Sequence, residues 1–135
     1  MVGSAKVIDL GFEIDLILNN DVNQGEVITN VITIVGDYFG VSKIEMGQDL
    51  SLGELRKQIM NEPGVVNIVD IRVYNKVGDP YSQSVSTQPY SNATTKQIGL
   101  IDDTIFAQPD EILQIRFPQK DIAVRTKRNS KPTFS

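Results

Sequence analysis

The sequence predicts an α+β domain, a small antiparallel or mixed sheet of three or more strands with two helices packed on one face. Three observations predict it. Val7 to Leu18 alternates, with Leu10, Phe12, Ile14, Leu16 and Leu18 set against Asp9, Gly11, Glu13 and Asp15, as in a strand with one covered and one wetter face. Asp49 to Tyr74 reads as a short helix, a tight turn and a long strand. Glu111 to Phe117 supplies another strand, with Leu113, Ile115 and Phe117 on one face. The order strand, helix, helix, strand, irregular excursion, strand gives a layered fold with both helices on one side of the sheet.

Each element has its own local cause. Asn19-Asn20-Asp21 is a turn cluster that ends the first strand. From Asn23 to Phe39 the apolar residues Val27, Val31, Val35 and Tyr38 recur at three and four. Asn23 followed by Glu26 is a helix-start signal there. This run is rich in β-branched residues, so a long strand competes with the helix, and the helix depends on tertiary packing. Val41 to Gln48 reads as an extended connector anchored by Ile44 and Met46. Ser51 and Glu54 have capping-box spacing, and Leu52, Leu55, Ile59 and Met60 share one side of the helix that follows. Asn61-Glu62-Pro63-Gly64 stops it, since Pro63 disfavours helical geometry at Glu62 and Gly64 accepts a positive φ. Residues 75–97 read as an irregular or hairpin excursion, opened by the turn signal Gly78-Asp79-Pro80. Pro118 breaks the strand that ends at Phe117. Asp121 to Val124 reads as a brief edge pairing, and residues 125–135 as a basic, flexible tail.

Composition narrows the chemistry. The 135 residues fit one domain with no internal repeat, and 40% hydrophobic with 22% charged residues are ordinary globular values. A net charge of -4 makes nucleic acid an unfavoured partner for the domain as a whole. Cysteine is absent, which excludes disulfides and thiolate metal sites and suits a reducing compartment. Histidine is absent too, which removes the commonest general base and metal ligand. No apolar run is long enough for a membrane span, and Met-Val-Gly-Ser-Ala-Lys lacks the layout of a secretion signal. The reading is a non-enzymatic domain made in the cytoplasm, with no catalytic residue, cofactor, metal or small-molecule substrate.

The remaining polar clusters each have a plain alternative. Asp9, Glu13 and Asp15 share one side of a straight strand, which suits a solvated face or a subunit contact better than a calcium loop. Asp102-Asp103 is adjacent in sequence, so in a strand the pair would diverge, and a turn role outweighs an acid/base dyad. A carboxylate hydrolase would need two such acids converging in a pocket. Gly47 to Gly53 lacks the Gly-Lys-Ser/Thr ending of a phosphate loop. Arg125, Lys127, Arg128 and Lys131 are the one marked charge bias. They suit docking onto an acidic protein, with nucleic acid phosphates as the alternative.

Taken in order, the long alternating strand, the helix ending in Asp37-Tyr38-Phe39, Met46-Gly47-Gln48-Asp49-Leu50, Pro63 to Ile68 and Asp110-Glu111-Ile112-Leu113 resemble the C-terminal region of baseplate J-like proteins. The resemblance spans about Val7 to Val124. It implies a carboxy-terminal fragment of a longer structural subunit in the baseplate of a contractile phage tail. That subunit would be assembled in the host cytoplasm and carried in the virion. Copies would pair as a dimer or ring and join other baseplate wedge proteins around the tail hub. Tyr81 and Tyr90 are candidate contacts as aromatics on polar loops, and Ile122 and Val124 as members of a strand edge. Arg125, Lys127 and Arg128 complete the candidate contact set. A small regulatory or nucleic-acid-binding module using the basic tail is the alternative.

Overall fold

A computed structural model describes residues 6–39, 46–85, 90–92 and 94–128. Strand β1 (Lys6–Leu18) is followed by helix α1 (Gln24–Tyr38), β2 (Leu50–Ser51), α2 (Leu52–Met60) and β3 (Val65–Lys76). The short strands β4 (Tyr90–Asn92), β5 (Gln97–Ile98) and β6 (Thr104–Ile105) come next, then β7 (Glu111–Gln114), the single turn α3 (Pro118–Asp121) and β8 (Ile122–Arg128). The class is α+β as expected, with a mixed sheet ordered β4-β5-β3-β1-β7 and a second small pair, β2-β6.

β1 lies at the centre. β3 pairs with it antiparallel on one flank, and β7 and β8 both pair with it parallel on the other. β7 covers Lys6 to Asp9 and β8 covers Phe12 to Leu18, so together they act as one strand broken in the middle. The break holds α3, with Pro118 at its first helical position, where a missing N–H costs nothing. The strand expected over Glu111 to Phe117 therefore stops at Gln114. Ile115 still packs on the core, and the Phe117 ring turns to Tyr81.

The period of two in β1 sends Ile8, Leu10, Phe12, Ile14, Leu16 and Leu18 to one face, where all are buried. α1 lays Val27, Val31 and Val35 on that face, and α2 adds Leu52, Leu55 and Ile59. Phe39 closes the end of α1 with its ring edge-on to Phe12, 5.1 Å between centroids. Packing thus resolves the β-branched run in favour of helix. Asn23 caps it by accepting from the Glu26 N–H at 3.0 Å. Thr29 and Thr33 donate back to the carbonyls of Gly25 and Thr29, which satisfies their hydroxyls inside the helix.

Other expectations are adjusted. The Ser51 hydroxyl accepts from the Gly53 N–H at 3.3 Å, one residue short of the capping-box position. Met60 is exposed, because the apolar stripe of α2 ends at Ile59. Met46 is half exposed and is not part of the core, while Ile44 and the rest of residues 40–45 lie outside the described residues. Residues 125–128 belong to β8 and are held against β1, and residues 129–135 lie outside the described residues. Asp102 and Asp103 take left-handed φ values of 53° and 55° in a tight turn, and Asp103 receives a two-pronged hydrogen bond from Arg56 on α2.

Gly64 has φ +96°, and a Cβ there would sit 2.7 Å from Val22 Cγ1. Gly64→Ala therefore carries both a backbone strain and a clash, and we expect a loss of more than about 1 kcal/mol in the unfolding free energy measured by urea titration. Adding Val22→Ala should recover only the part due to the clash.

Candidate functional site

The face of the sheet opposite the helices carries most of the charge, and the register of β1 explains why. Glu13 lies opposite Arg72 of β3, and Asp15 lies opposite Asp70. Arg72 donates to Glu13 (3.1 Å), Asp15 (3.0 Å) and Asp70 (2.7 Å), so one guanidinium gathers three carboxylates. From the other flank Arg125 of β8 donates to Glu13 at 3.0 Å, and Tyr74 donates to the same oxygen at 3.1 Å. Burial alone would push the Glu13 carboxyl up, but Arg72, Tyr74 and Arg125 outweigh it and hold the group below its ordinary 4.5. Arg72 is held above its ordinary range by its hydrogen bond to Asp15, opposed by burial and reinforced by Asp70 and Glu13. The acids of β1 thus form a braced, partly exposed charge ladder.

At the other end of the same face the chain leaving β3 folds over two buried acids. Asp9 is fully buried and accepts from the Ser82 N–H (2.7 Å) and from Gln114 Nε2 (2.6 Å). Asp121 accepts from the Tyr81 hydroxyl at 2.7 Å. The Tyr81 ring rests edge-on against Phe117, 5.7 Å between centroids. Burial, then the hydrogen bond to Asp121, pushes the Tyr81 phenol up to about 12. The start of the excursion is therefore pinned to the sheet by two carboxylates.

These placements revise the candidate contact set. Tyr81 is an internal pin, because its hydroxyl serves Asp121 and its ring serves Phe117. Ile122 faces the core at 2% exposure, and Val124, on the same side of β8, is half-buried against it. Tyr90 belongs to β4, and its side chain lies outside the described residues. Arg125 and Lys127 point to the open face, where they border a shallow depression of about 300 Å³ with Asp15 and Val69. Val69 is 57% exposed, since the register slips at Asp15/Leu16 and leaves it without a partner on β1. Arg128 donates to the carbonyls of Asn19 and Val22, both at 2.8 Å, and ties β8 to the turn before α1.

The outer flank of β8 has no strand partner among the described residues. Sequence reasoning expected an edge here and took its length to be shorter. It missed Arg72 as the hub and Asp9 and Asp121 as buried anchors. Their identities gave no signal, because each role depends on which strand lies alongside. No metal-binding group of acids occurs among the described residues, and no described helix is long and apolar enough to cross a membrane. No family model matches the chain, and no curated protein matches it.

Two substitutions test this arrangement. Tyr81→Phe leaves the buried Asp121 carboxylate without its donor and should cost about 1–3 kcal/mol by urea unfolding at neutral pH. In the parent protein the raised phenol means that this contribution is complete below pH 10 and is lost as pH rises toward about 12. A Tyr81→Phe variant should lack that part of the alkaline loss. For Glu13 the sign is opposite: its depressed carboxyl stabilises the fold above its ordinary 4.5, and that stability disappears as pH falls through the lowered value. Arg72→Met should reduce stability at neutral pH and flatten this acid limb, read as unfolding midpoints across pH.

Proposed function

We propose that this chain is a structural assembly domain of a contractile-tail baseplate, acting without catalysis through contacts with copies of itself and with neighbouring wedge subunits. The observation that carries the contact with neighbouring subunits is the seven-residue outer edge of β8, bordered by exposed cations on a sheet whose opposite face is closed by helices. An edge of that length presents backbone donors and acceptors that another chain can satisfy. The baseplate assignment rests on the ordered resemblance in sequence from Val7 to Val124. The ladder around Arg72 supports a rigid role, since three carboxylates and two guanidinium groups fix the spacing of β3, β1 and β8.

The runner-up, a nucleic-acid module, draws on Lys127 and the other cations of β8. Arg125 weakens that reading, because its charge is engaged by Glu13 and faces Asp15 at 3.7 Å. Binding that falls steeply with salt and disappears with Lys127→Glu would favour it.

Light scattering on a sizing column at several concentrations tests the main reading. We expect a dimer whose fraction grows with concentration, and co-elution with wedge subunits of a contractile-tail baseplate. A strict monomer that also ignores those subunits would remove the baseplate assignment.

A further inference from the structure

The outer edge of β8 has a chemical preference that follows from its inner edge. On the inner side β8 already pairs with a strand that alternates acidic and apolar residues: Phe12, Ile14 and Leu16 lie beside Ile122, Val124 and Thr126, while Glu13 and Asp15 lie beside Ala123 and Arg125. In a parallel pair, alternate residues turn both N–H and C=O toward the neighbour, so the intervening residues of β8 turn theirs outward. The open-face side of this edge carries Arg125, 66% exposed at its side chain, and the exposed Lys127. No carboxylate lies within ion-pair distance of Lys127 among the described residues, and Arg128 is held by neutral carbonyls.

Cations on an edge ordinarily guard against unwanted pairing. That guard depends on charge sign. Antiparallel pairing of β8 with β8 of a second copy, centred on its middle residue, would set Arg125 against Arg125; shifting the register toward the C-terminal end sets Arg125 against Lys127, and shifting it the other way shortens the pairing to residues 122–126. An extended segment with acids on one face and apolar residues on the other meets no such penalty. Its acids would face Arg125 and Lys127, and its apolar residues would lie beside Val124 and Thr126.

We propose that the outer edge of β8 is a strand-addition site for an extended acidic–apolar segment of a partner protein, and that it rejects β8 of a second copy. Such a segment repeats on the outside what β1 provides on the inside. Main-chain hydrogen bonds supply the attachment, and the cations select the sign of the side chains. This deepens the assembly reading above and rests on it only in assigning the edge to a protein partner. Self-association then uses another surface.

The test uses the full chain and a short synthetic peptide alternating Asp or Glu with Val, followed by calorimetry. Two further peptides carry backbone N-methyl groups on alternate residues, one on each complementary set. Strand addition predicts that one methylated set abolishes binding and the other preserves it, because only one set of N–H groups faces β8. Lys127→Glu should weaken the unmodified peptide by about three- to tenfold, as expected for reversing one cross-strand charge contact. A peptide with Lys in place of every acid should not bind. Absence of binding by the acidic peptide overturns the proposal, and so does equal binding of both methylated peptides, which would mean charge attraction alone. Peptide binding by a chain that remains monomeric and ignores wedge subunits would remove the baseplate assignment and leave the edge site standing. Loss of peptide binding with dimerisation intact would do the reverse.

Discussion

Every layer of this fold depends on the two-residue period of β1. A strand flanked on both sides, with a helical layer on one face, must send apolar groups one way and hydrated groups the other. A slip by one residue would bury Glu13 and Asp15 among Val31, Leu55 and Leu113. Burial of such carboxylates without partners is costly enough that the register has no close competitor. α1 and α2 then need only an apolar stripe each. That is why α1 remains helical although Val, Ile and Thr fill it.

The hydrated side of β1 is not simply left to water. Two solutions operate along one strand. Near its end, Glu13 and Asp15 are partly exposed and share Arg72 and Arg125 from both neighbouring strands. Near its start, Asp9 is sealed and depends on neutral donors, the Ser82 N–H and the Gln114 amide. The difference follows from the cover. The chain after β3 folds back over Asp9 and Asp121 and excludes water there, whereas the other end of the face stays open around Val69 and Lys127. Exposed ion pairs add little stability individually, but a guanidinium held by three acids restricts the relative motion of the strands that carry them.

Local signals made much of this fold legible. Alternation in Val7 to Leu18, the Asn23 cap and the Pro63-Gly64 stop each act within a few residues of their own position, and β1, α1, α2 and β3 follow from them. The remainder depends on contacts between distant segments. Arg125, Thr126, Lys127 and Arg128 have the composition of a mobile tail, and only the presence of Glu13, Asp15 and Leu16 alongside makes them a strand. Tyr81 has the setting of an exposed loop aromatic, and only Asp121 and Phe117 turn it inward. The candidate site suffers most from this, because an edge is defined by what lies next to it. Arg125 and Lys127 share a face only because the segment pairs as a strand with β1.

The broken strand formed by β7 and β8 bears on how the chain reaches this structure. Arg125 is 112 residues from Glu13, its partner on β1, and β3 lies some sixty residues away along the chain. The central strand is therefore made before every strand that pairs with it. During synthesis a ribbon of thirteen residues, apolar on one face, must wait with one flank unpaired until β7 and β8 have been made. Topologies of such high contact order fold slowly and leave strand edges open to other chains meanwhile. The aspartates and glutamate spaced along β1 are charges of the kind that keep such a ribbon from stacking with its neighbours.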